Sequence, residues 1–227
     1  MQTVSLRNQR EITAVNEFIY GVYNWMAVGL ALTGFVAFFV ANSQAMQSLI
    51  FGNKLVFYGL ILGELGLVFT LAARIEKLEK STATMLYLLY SLLNGATLSS
   101  IFMVYAGSTI TSTFFICSAT FVACSAYGML TKRDLTSMGS FLFMGLIGIV
   151  IASVVNLFVQ SSQMSMMISY IGVLVFVGLT VYDTQRLKHL ALAGASGNST
   201  ILGALTLYLD FINLFLMMLR IMGGNRD

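Results

Sequence analysis

The chain has 227 residues, of which 58% are hydrophobic and 9% are charged, and its formal net charge is +3. Soluble globular proteins usually carry about 25% charged residues, so water is not the main solvent of this chain. The basic residues are dispersed in short connections, which indicates no nucleic-acid-binding surface. The apolar runs are continuous rather than alternating, which excludes a β-barrel and predicts an all-α integral membrane protein.

Seven apolar runs are long enough to cross about 30 Å of hydrocarbon. They cover residues 20–40, 55–73, 84–105, 110–130, 140–159, 164–182 and 201–222. The connections at 106–109 and 160–163 are so short that each predicts a tight helical hairpin. The longest connection, 186–200, is too short for a soluble module. We therefore predict a single seven-span membrane domain over residues 1–227, in which residues 1–19 form a polar N-terminal segment.

The distribution of lysine and arginine predicts the orientation in the membrane. One set of connections holds Arg7, Arg10, Arg74, Lys77, Lys80, Lys132, Arg133, Arg186 and Lys188, and the other side holds Lys54, Arg220 and Arg226. Connections on the cytoplasmic side carry the excess of basic residues. We therefore predict a cytoplasmic N-terminus and an outer C-terminus.

Three acidic residues, Glu64, Asp183 and Asp210, lie inside or at the end of apolar runs. A charge at the centre of a spanning helix costs at least about 2.5 kcal/mol, so such residues usually face the bundle interior and mark ion or proton pathways. Asp183 and Asp210 fall at similar depth on consecutive spans, in the predicted cytoplasmic half. We expect the two carboxyl groups to meet and form a proton-sensitive latch, with Arg74 at the end of span two as the counter-charge.

Further polar residues and glycines lie within the spans. Asn213 is one helical turn beyond Asp210, and Asn94 lies in span three, so both could join Glu64 along an ion pathway. Hydrogen bonding between helices accounts for the two asparagines equally well. Glycines recur at three- and four-residue spacing, which predicts close approaches between neighbouring helices. They are Gly59, Gly63 and Gly66 in span two and Gly145 and Gly148 in span five.

Two strings carry a family resemblance: Val-Tyr-Asp at 181–183 and Leu-Thr-Leu-Tyr-Leu-Asp-Phe-Ile-Asn-Leu-Phe at 205–215. They closely resemble the Bax inhibitor family, also called transmembrane Bax inhibitor motif proteins. The resemblance spans nearly the whole chain, and the segments at 23–26 and 132–135 look like those of its bacterial inner-membrane branch.

The resemblance implies a seven-helix bundle in which the last helix is central and surrounded by the other six. It also implies a pH-sensitive calcium leak gated by an aspartate pair with an arginine partner. Asp183 and Asp210 match the pair and Arg74 takes the arginine position, so the two aspartates become the candidate calcium ligands. Calcium is then cargo, no cofactor is expected, and the expected location is the bacterial inner membrane.

The sequence leaves more than one function open. A cation leak would use Asp183, Asp210 and Glu64 as hard oxygen ligands for calcium. A non-transporting regulator would bind other membrane proteins, such as membrane proteases, and use its charged cluster only for fold specificity. An intramembrane aspartyl protease also pairs a Tyr-Asp with a second aspartate, but this chain has Leu207-Tyr208-Leu209 where such enzymes carry glycines, and it has no proline. We therefore expect a non-enzyme.

Overall fold

A computed structural model describes the backbone of residues 2–195 and 197–224, with side chains from residue 13 onward except at 196. The side chains of Arg7 and Arg10, and the whole of Arg226, which entered the orientation prediction, lie outside the described residues. All regular secondary structure in the described part is helical, which confirms the predicted all-α class.

The described residues form nine α-helices, and seven of them are long and apolar enough to cross a membrane. The helices are α1 Gln2–Ala41, α2 Gln44–Phe51, α3 Lys54–Arg74, α4 Lys80–Leu98, α5 Ile101–Val104, α6 Gly107–Leu130, α7 Thr136–Val159, α8 Ser162–Leu192 and α9 Asn198–Gly223. One turn of 3-10 helix, Ile75–Lys77, extends α3. The seven predicted spans are confirmed.

Both predicted hairpins are present. Only residues 105–106 separate α5 from α6, and only residues 160–161 separate α7 from α8. Gln160 adopts a left-handed conformation with φ 53°, which ends α7 and reverses the chain. The short connections therefore predicted the topology correctly.

The structure differs from the sequence prediction in three places. A short helix, α2, follows the first span, and a turn at Ser99–Ser100 interrupts the third span between α4 and α5. Helix α8 continues ten residues past the predicted end at 182, because Arg186 and Lys188 end the hydrophobic run while remaining good helix formers. The predicted connection 186–200 therefore shrinks to residues 193–197.

The chain forms two compact units. The first contains the residues up to Val104 together with Leu190–Tyr208, and the second contains Tyr105–His189 and the residues from Leu209 onward. Within the first unit, α4 packs against both α1 and α3. The prediction of a single membrane domain stays a prediction.

Helix α9 is the most buried of the seven spans. In its most apolar window 61% of the residues are buried, compared with at most 33% in any other span. Buried side chains of α9 occur both before Tyr208, in the part that belongs to the first unit, and after it, in the part that belongs to the second, for example at Leu205 and Leu214. This burial matches the predicted position of the last helix at the core of a helical membrane bundle.

Glycines allow close backbone approach at places other than those expected. A Cβ added to Gly95 in α4 would lie 2.6 Å from the carbonyl oxygen of Thr33 in α1, and one added to Gly128 in α6 would lie 2.5 Å from that of Val181 in α8. A Cβ on Gly59 or Gly66 would meet nothing within 4 Å. A Cβ on Gly145 would lie 3.1 Å from the side chain of Val175 in α8, and one on Gly63 would lie 3.9 Å from that of Leu93 in α4. The predicted helix contacts are therefore present at Gly145 and Gly63 and absent at Gly59, Gly66 and Gly148, because spacing along a helix does not reveal which face meets a neighbour.

Substitution of Gly95 tests the packing of α1 on α4. Gly95→Ala should destabilise the protein by about 1–3 kcal/mol, because the new methyl group forces backbone to move in a packed contact. Gly66→Ala is the matched control, since the same change there meets open space. Thermal unfolding in detergent measures both variants, and equal melting temperatures for the two would contradict the packing described here.

Candidate functional site

Two buried carboxyl groups meet inside the second unit. Asp183 lies in α8 and Asp210 lies in α9, both side chains are buried, and a hydrogen bond joins them. Asp183 precedes the end of α8 by nine residues and Asp210 follows the start of α9 by twelve, which places them roughly 14 Å and 18 Å along their helices. The structure thus brings together the two aspartates that the sequence singled out.

The bonding of this aspartate pair constrains its chemistry. Two carboxyl groups can share a hydrogen bond only when one of them carries the proton, because an ionised carboxylate only accepts. Oδ2 of Asp210 is buried and has no hydrogen-bond partner among the described residues. A hydrogen bond between Asp183 and Asp210 therefore requires that one of the two carboxyl groups carries a proton.

The cation nearest to the aspartate pair within its unit is Arg186. A guanidinium nitrogen of Arg186 lies 3.8 Å from Oδ1 of Asp183, and the arginine side chain is 61% exposed. Exposed ion pairs at this distance contribute little, typically about 0–1 kcal/mol. This contact was not predicted from the sequence, although the three-residue spacing of Asp183 and Arg186 on one helix could have indicated it.

Arg74, the arginine chosen from the sequence, belongs to the first unit. It is the last residue of α3, and its side chain is exposed. Its role as the counter-charge of the aspartate pair stays a prediction.

Glutamine and lysine side chains next to the pair attach α8 to the α6–α7 connection. The buried Gln185 donates from Nε2 to the carbonyl oxygen of Arg133 (2.7 Å) and accepts at Oε1 from the amide of Leu135 (3.0 Å). Lys188 donates from Nζ to the carbonyl oxygen of Met129 (2.7 Å). These bonds fix the stretch of α8 that carries Asp183. The role of Gln185 was not predictable from the sequence, because nothing in the pattern places its amide against a connection 50 residues away.

Asp134 lies in the same connection, two residues before the start of α7 and outside the membrane spans. Its Oδ1 accepts from the hydroxyl (2.6 Å) and the amide (2.9 Å) of Thr136, and these bonds hold the pKa of Asp134 below its ordinary value. A lowered pKa stabilises the folded state above the unfolded pKa of about 4, and this contribution is lost as pH falls through the lower folded value. Asp134 therefore does not titrate near neutral pH.

A separate polar network occupies the first unit. Glu64 accepts hydrogen bonds from Nδ2 of Asn94 (3.3 Å) and from the hydroxyl of Thr97. Oδ1 of Asn94 accepts from the hydroxyl of Tyr208 (3.1 Å), which also lies 2.6 Å from the hydroxyl of Thr33. Four helices of this unit, α1, α3, α4 and α9, thus meet around one hydrogen-bonded chain. The predicted partners Glu64 and Asn94 are brought together.

This network has fewer protons than contacts. Thr33 can donate to the carbonyl oxygen of Ser91 (2.9 Å) or to Tyr208, and Tyr208 can donate to Thr33 or to Asn94. Two hydroxyl protons therefore serve three contacts, so the network has alternative donor arrangements with the same heavy-atom positions.

Asn213, the third predicted pathway residue, belongs to the second unit. Its Nδ2 donates to the carbonyl oxygen of Leu209 one turn earlier in α9 (2.8 Å). Its side chain lines a cavity of about 270 Å³ whose other lining residues are mostly apolar. The sequence predicted that Asn213 lies one helical turn beyond Asp210, but it did not predict that the Asn213 side chain would bond to its own helix.

A family model described as "Inhibitor of apoptosis-promoting Bax1" matches residues 15–227, which include α3, α8 and α9 and both polar clusters. The chain belongs to the Bax inhibitor family. The match confirms the resemblance that the strings in α8 and α9 indicated.

Bacterial relatives agree with this family assignment. The inner membrane protein YbhL of Escherichia coli is 53% identical over 211 residues, 90% of each chain. An uncharacterised protein of Borreliella burgdorferi is 42% identical over 226 residues, 97% of each chain, and an uncharacterised membrane protein of Streptococcus pyogenes is 38% identical over 216 residues, 93% and 94% of the two chains. Together with the seven apolar helices, these relatives identify a multi-pass membrane protein of the Bax inhibitor family, and the names of the family and of these relatives point to no enzymatic activity.

The Tyr208 hydroxyl tests the network of the first unit. Tyr208→Phe should destabilise this Bax inhibitor family protein by about 0.6–1.7 kcal/mol, the range measured for hydrogen bonds between membrane helices, because buried acceptors lose their donor. Tyr58→Phe is the matched control, since Tyr58 is 60% exposed. Unfolding in detergent measures the difference, and an unchanged Tyr208→Phe stability would contradict the bonding described.

Proposed function

We propose that this Bax inhibitor family protein is a proton-sensitive cation leak whose cargo is calcium and whose gate is the aspartate pair. The observation that supports the proposal is the hydrogen bond between the buried carboxyl groups of Asp183 and Asp210. No other two acidic side chains among the described residues share such a bond.

The pair supplies a proton-sensitive element because of its surroundings. Loss of the shared proton leaves two negative charges in a medium of low dielectric, where like charges at contact distance are strongly unfavourable. The two carboxylates must then move apart or take up a cation. Since Asp183 lies on α8 and Asp210 on α9, either response alters the contact between these two helices.

Calcium fits the oxygen ligands that the pair offers. Calcium binds carboxylate oxygens, and the proton and the cation would compete for the same atoms. Among the described residues no group of three or more His, Cys, Asp and Glu side chains is placed to hold a metal ion. Two carboxylates bind a divalent cation weakly, and weak binding is what conduction requires, because an ion that is held tightly does not leave.

Glu64 supplies a second acidic position for this pathway. Its carboxyl group is partly buried within the first unit and is held by Asn94 and Thr97, so its direction is fixed by neutral partners. A fixed carboxylate inside the hydrocarbon region attracts cations. We include Glu64 and Asn94 in the proposed pathway, and Asn213 as a polar position on α9.

The same proposal includes the role of Arg74 and the position of the protein in the membrane. Arg74 serves as the counter-charge that distinguishes two states of the gate. The protein resides in the bacterial inner membrane with its N-terminus in the cytoplasm, as the lysine and arginine distribution predicts. It catalyses no reaction and needs no cofactor.

Calcium flux into proteoliposomes across a pH series tests the gate. Wild-type flux should change with pH between about 5 and 8, whereas Asp210→Asn and Asp183→Asn should reduce that change to less than about twofold, because an amide keeps the size of the carboxyl group but does not titrate. Asp134→Asn is the matched control, since it removes an exposed acid outside the spans and should keep the wild-type pH profile.

Two results would remove the proposal. One is the absence of calcium flux at every pH in wild-type proteoliposomes. The other is a pH profile for Asp210→Asn that superimposes on that of wild type while the variant retains its thermal stability.

A second flux measurement tests the pathway residue Glu64. Glu64→Gln should lower calcium flux by about tenfold at the pH of maximum wild-type flux, because the amide keeps the size of the carboxyl group and one acceptor oxygen but removes the negative charge that attracts cations. Glu76→Gln, in the connection after α3, is the control. Equal flux in both variants would exclude Glu64 from the pathway.

The arrangement of the acids also favours a second candidate, a non-transporting regulator of other membrane proteins. Asp183, Asp210 and Glu64 each have side-chain partners within their own unit, so they could serve fold specificity alone. In that case the double variant Asp183→Asn, Asp210→Asn would retain crosslinked membrane-protein complexes, and wild-type liposomes would pass no calcium.

A further inference from the structure

A polar cavity of about 450 Å³ lies at the turn between α7 and α8, in the second unit. Its lining includes Ser153 and Asn156 of α7, Ser162 of α8 and Arg220 of α9. Helix α7 ends at Val159, α8 begins at Ser162, and α9 ends at Gly223. All three helices therefore reach the edge of the membrane here, which places the cavity at the level of lipid headgroups.

The wall of this headgroup cavity is built by hydrogen bonds of one asparagine. Asn156 donates to the hydroxyl of Ser165 (2.6 Å) and to the carbonyl oxygen of Ser161 (3.2 Å), and it accepts from the amide of Ser161 (3.0 Å). These bonds close the turn across the gap between the two helices. The cavity is thus shaped by fixed groups rather than by loose side chains.

Other lining groups are available to a ligand. Within the described part of the chain, the side chains of Ser153, Ser162 and Arg220 make no hydrogen bond or ion pair with protein groups. Among residues 13–195 and 197–224, no acidic side chain lines the cavity. The cavity therefore presents one unpaired guanidinium and free hydroxyl groups, and a guanidinium matches the geometry of a phosphate group.

A second cavity, of about 270 Å³, continues from the first. Ser153, Leu157 and Met217 line both, and the second is otherwise lined mainly by apolar side chains such as those of Ile149 and Phe176. From Val159 to Ile149 the chain runs roughly 15 Å along α7 toward the bilayer centre. Leu157 is exposed, so this apolar cavity opens on a surface of α7 that faces acyl chains. The guanidinium group of Arg220 therefore lies at the membrane edge, and the apolar cavity lies closer to the bilayer centre.

We propose that the two joined cavities bind one anionic phospholipid. Its phosphate group contacts Arg220, its hydroxyl-bearing headgroup contacts the free serines, and one acyl chain fills the apolar cavity. A zwitterionic lipid fits less well, because its ammonium group would find no carboxylate in the lining. The total volume of the cavities lies in the range of small-molecule sites, about 300–1,000 Å³.

Native mass spectrometry of the full-length protein in detergent micelles tests this site, with phosphatidylglycerol, phosphatidylethanolamine and soluble glycerol 1-phosphate as probes. Phosphatidylglycerol should bind at least about tenfold more tightly than either other probe. Arg220→Gln should weaken it by about tenfold, the size expected for a lost charge-assisted hydrogen bond. Lys132→Gln removes a positive charge from the opposite end of the same unit and should leave the affinity unchanged.

A second variant separates the headgroup cavity from the apolar one. Ser153→Leu fills the junction and should also weaken phosphatidylglycerol binding about tenfold. Melting temperatures equal to that of Lys132→Gln establish that both variants are folded. The proposal is overturned if both lipids bind wild type equally, if Arg220→Gln binds like wild type, if glycerol 1-phosphate binds as tightly as the lipid, or if a second copy of the chain occupies the cavity instead.

Discussion

The hydrogen bond between Asp183 and Asp210 is the interaction on which the functional reading of this membrane bundle depends. It exists only while the pair retains one proton, and Oδ2 of Asp210 has no hydrogen-bond partner among the described residues. Contacts around it hold one partner in place: Gln185 and Lys188 attach α8 to the α6–α7 connection, and Gly128 lets α6 approach the backbone of α8 at Val181. Any response to loss of the proton must therefore pass through the contact of α8 with α9.

The two polar clusters of the protein provide different hydrogen-bond partners for their buried acidic side chains. In the first unit, Glu64 is held by an amide and a hydroxyl, which can satisfy it without a second charge. In the second unit, the partner of Asp183 is another carboxyl group, and the nearest cation, Arg186, is exposed and 3.8 Å away. Neutral partners stabilise a single arrangement of the Glu64 side chain. A carboxyl pair instead favours contact when it holds a proton and separation when both groups are ionised. The first cluster is therefore suited to a fixed position in a pathway and the second to a switch.

Much of this arrangement was predictable because membrane spans leave a strong pattern. Continuous apolar runs predicted the seven spans, and short connections predicted the two hairpins. The similar depth of Asp183 and Asp210 on consecutive spans predicted that they meet. Hydropathy could not give the true length of α8, since Arg186 and Lys188 are polar yet extend the helix to Leu192. Spacing could not reveal which face of a helix is packed, so the contact predicted at Gly145 is present, those predicted at Gly59 and Gly66 are absent, and the close backbone approach at Gly95 was not predicted. The bonds of Gln185 to Arg133 and Leu135 depend on tertiary structure alone.

The aspartate pair and the headgroup cavity lie at different levels of the same helices. In α9, Asp210 and Arg220 are ten residues apart, roughly 15 Å of continuous helix, and α8 contributes Asp183 to one site and Ser162 to the other. A lipid bound at Arg220 changes the state of the pair only if it binds more tightly to one arrangement of α8 and α9 than to the other. Because both helices are continuous between the two sites, a rigid shift of α8 along α9 that separates the carboxyl groups would also displace Ser162 relative to Arg220. Lipid-dependent gating therefore requires that the distance between Ser162 and Arg220 differ between the protonated and the ionised states of the aspartate pair.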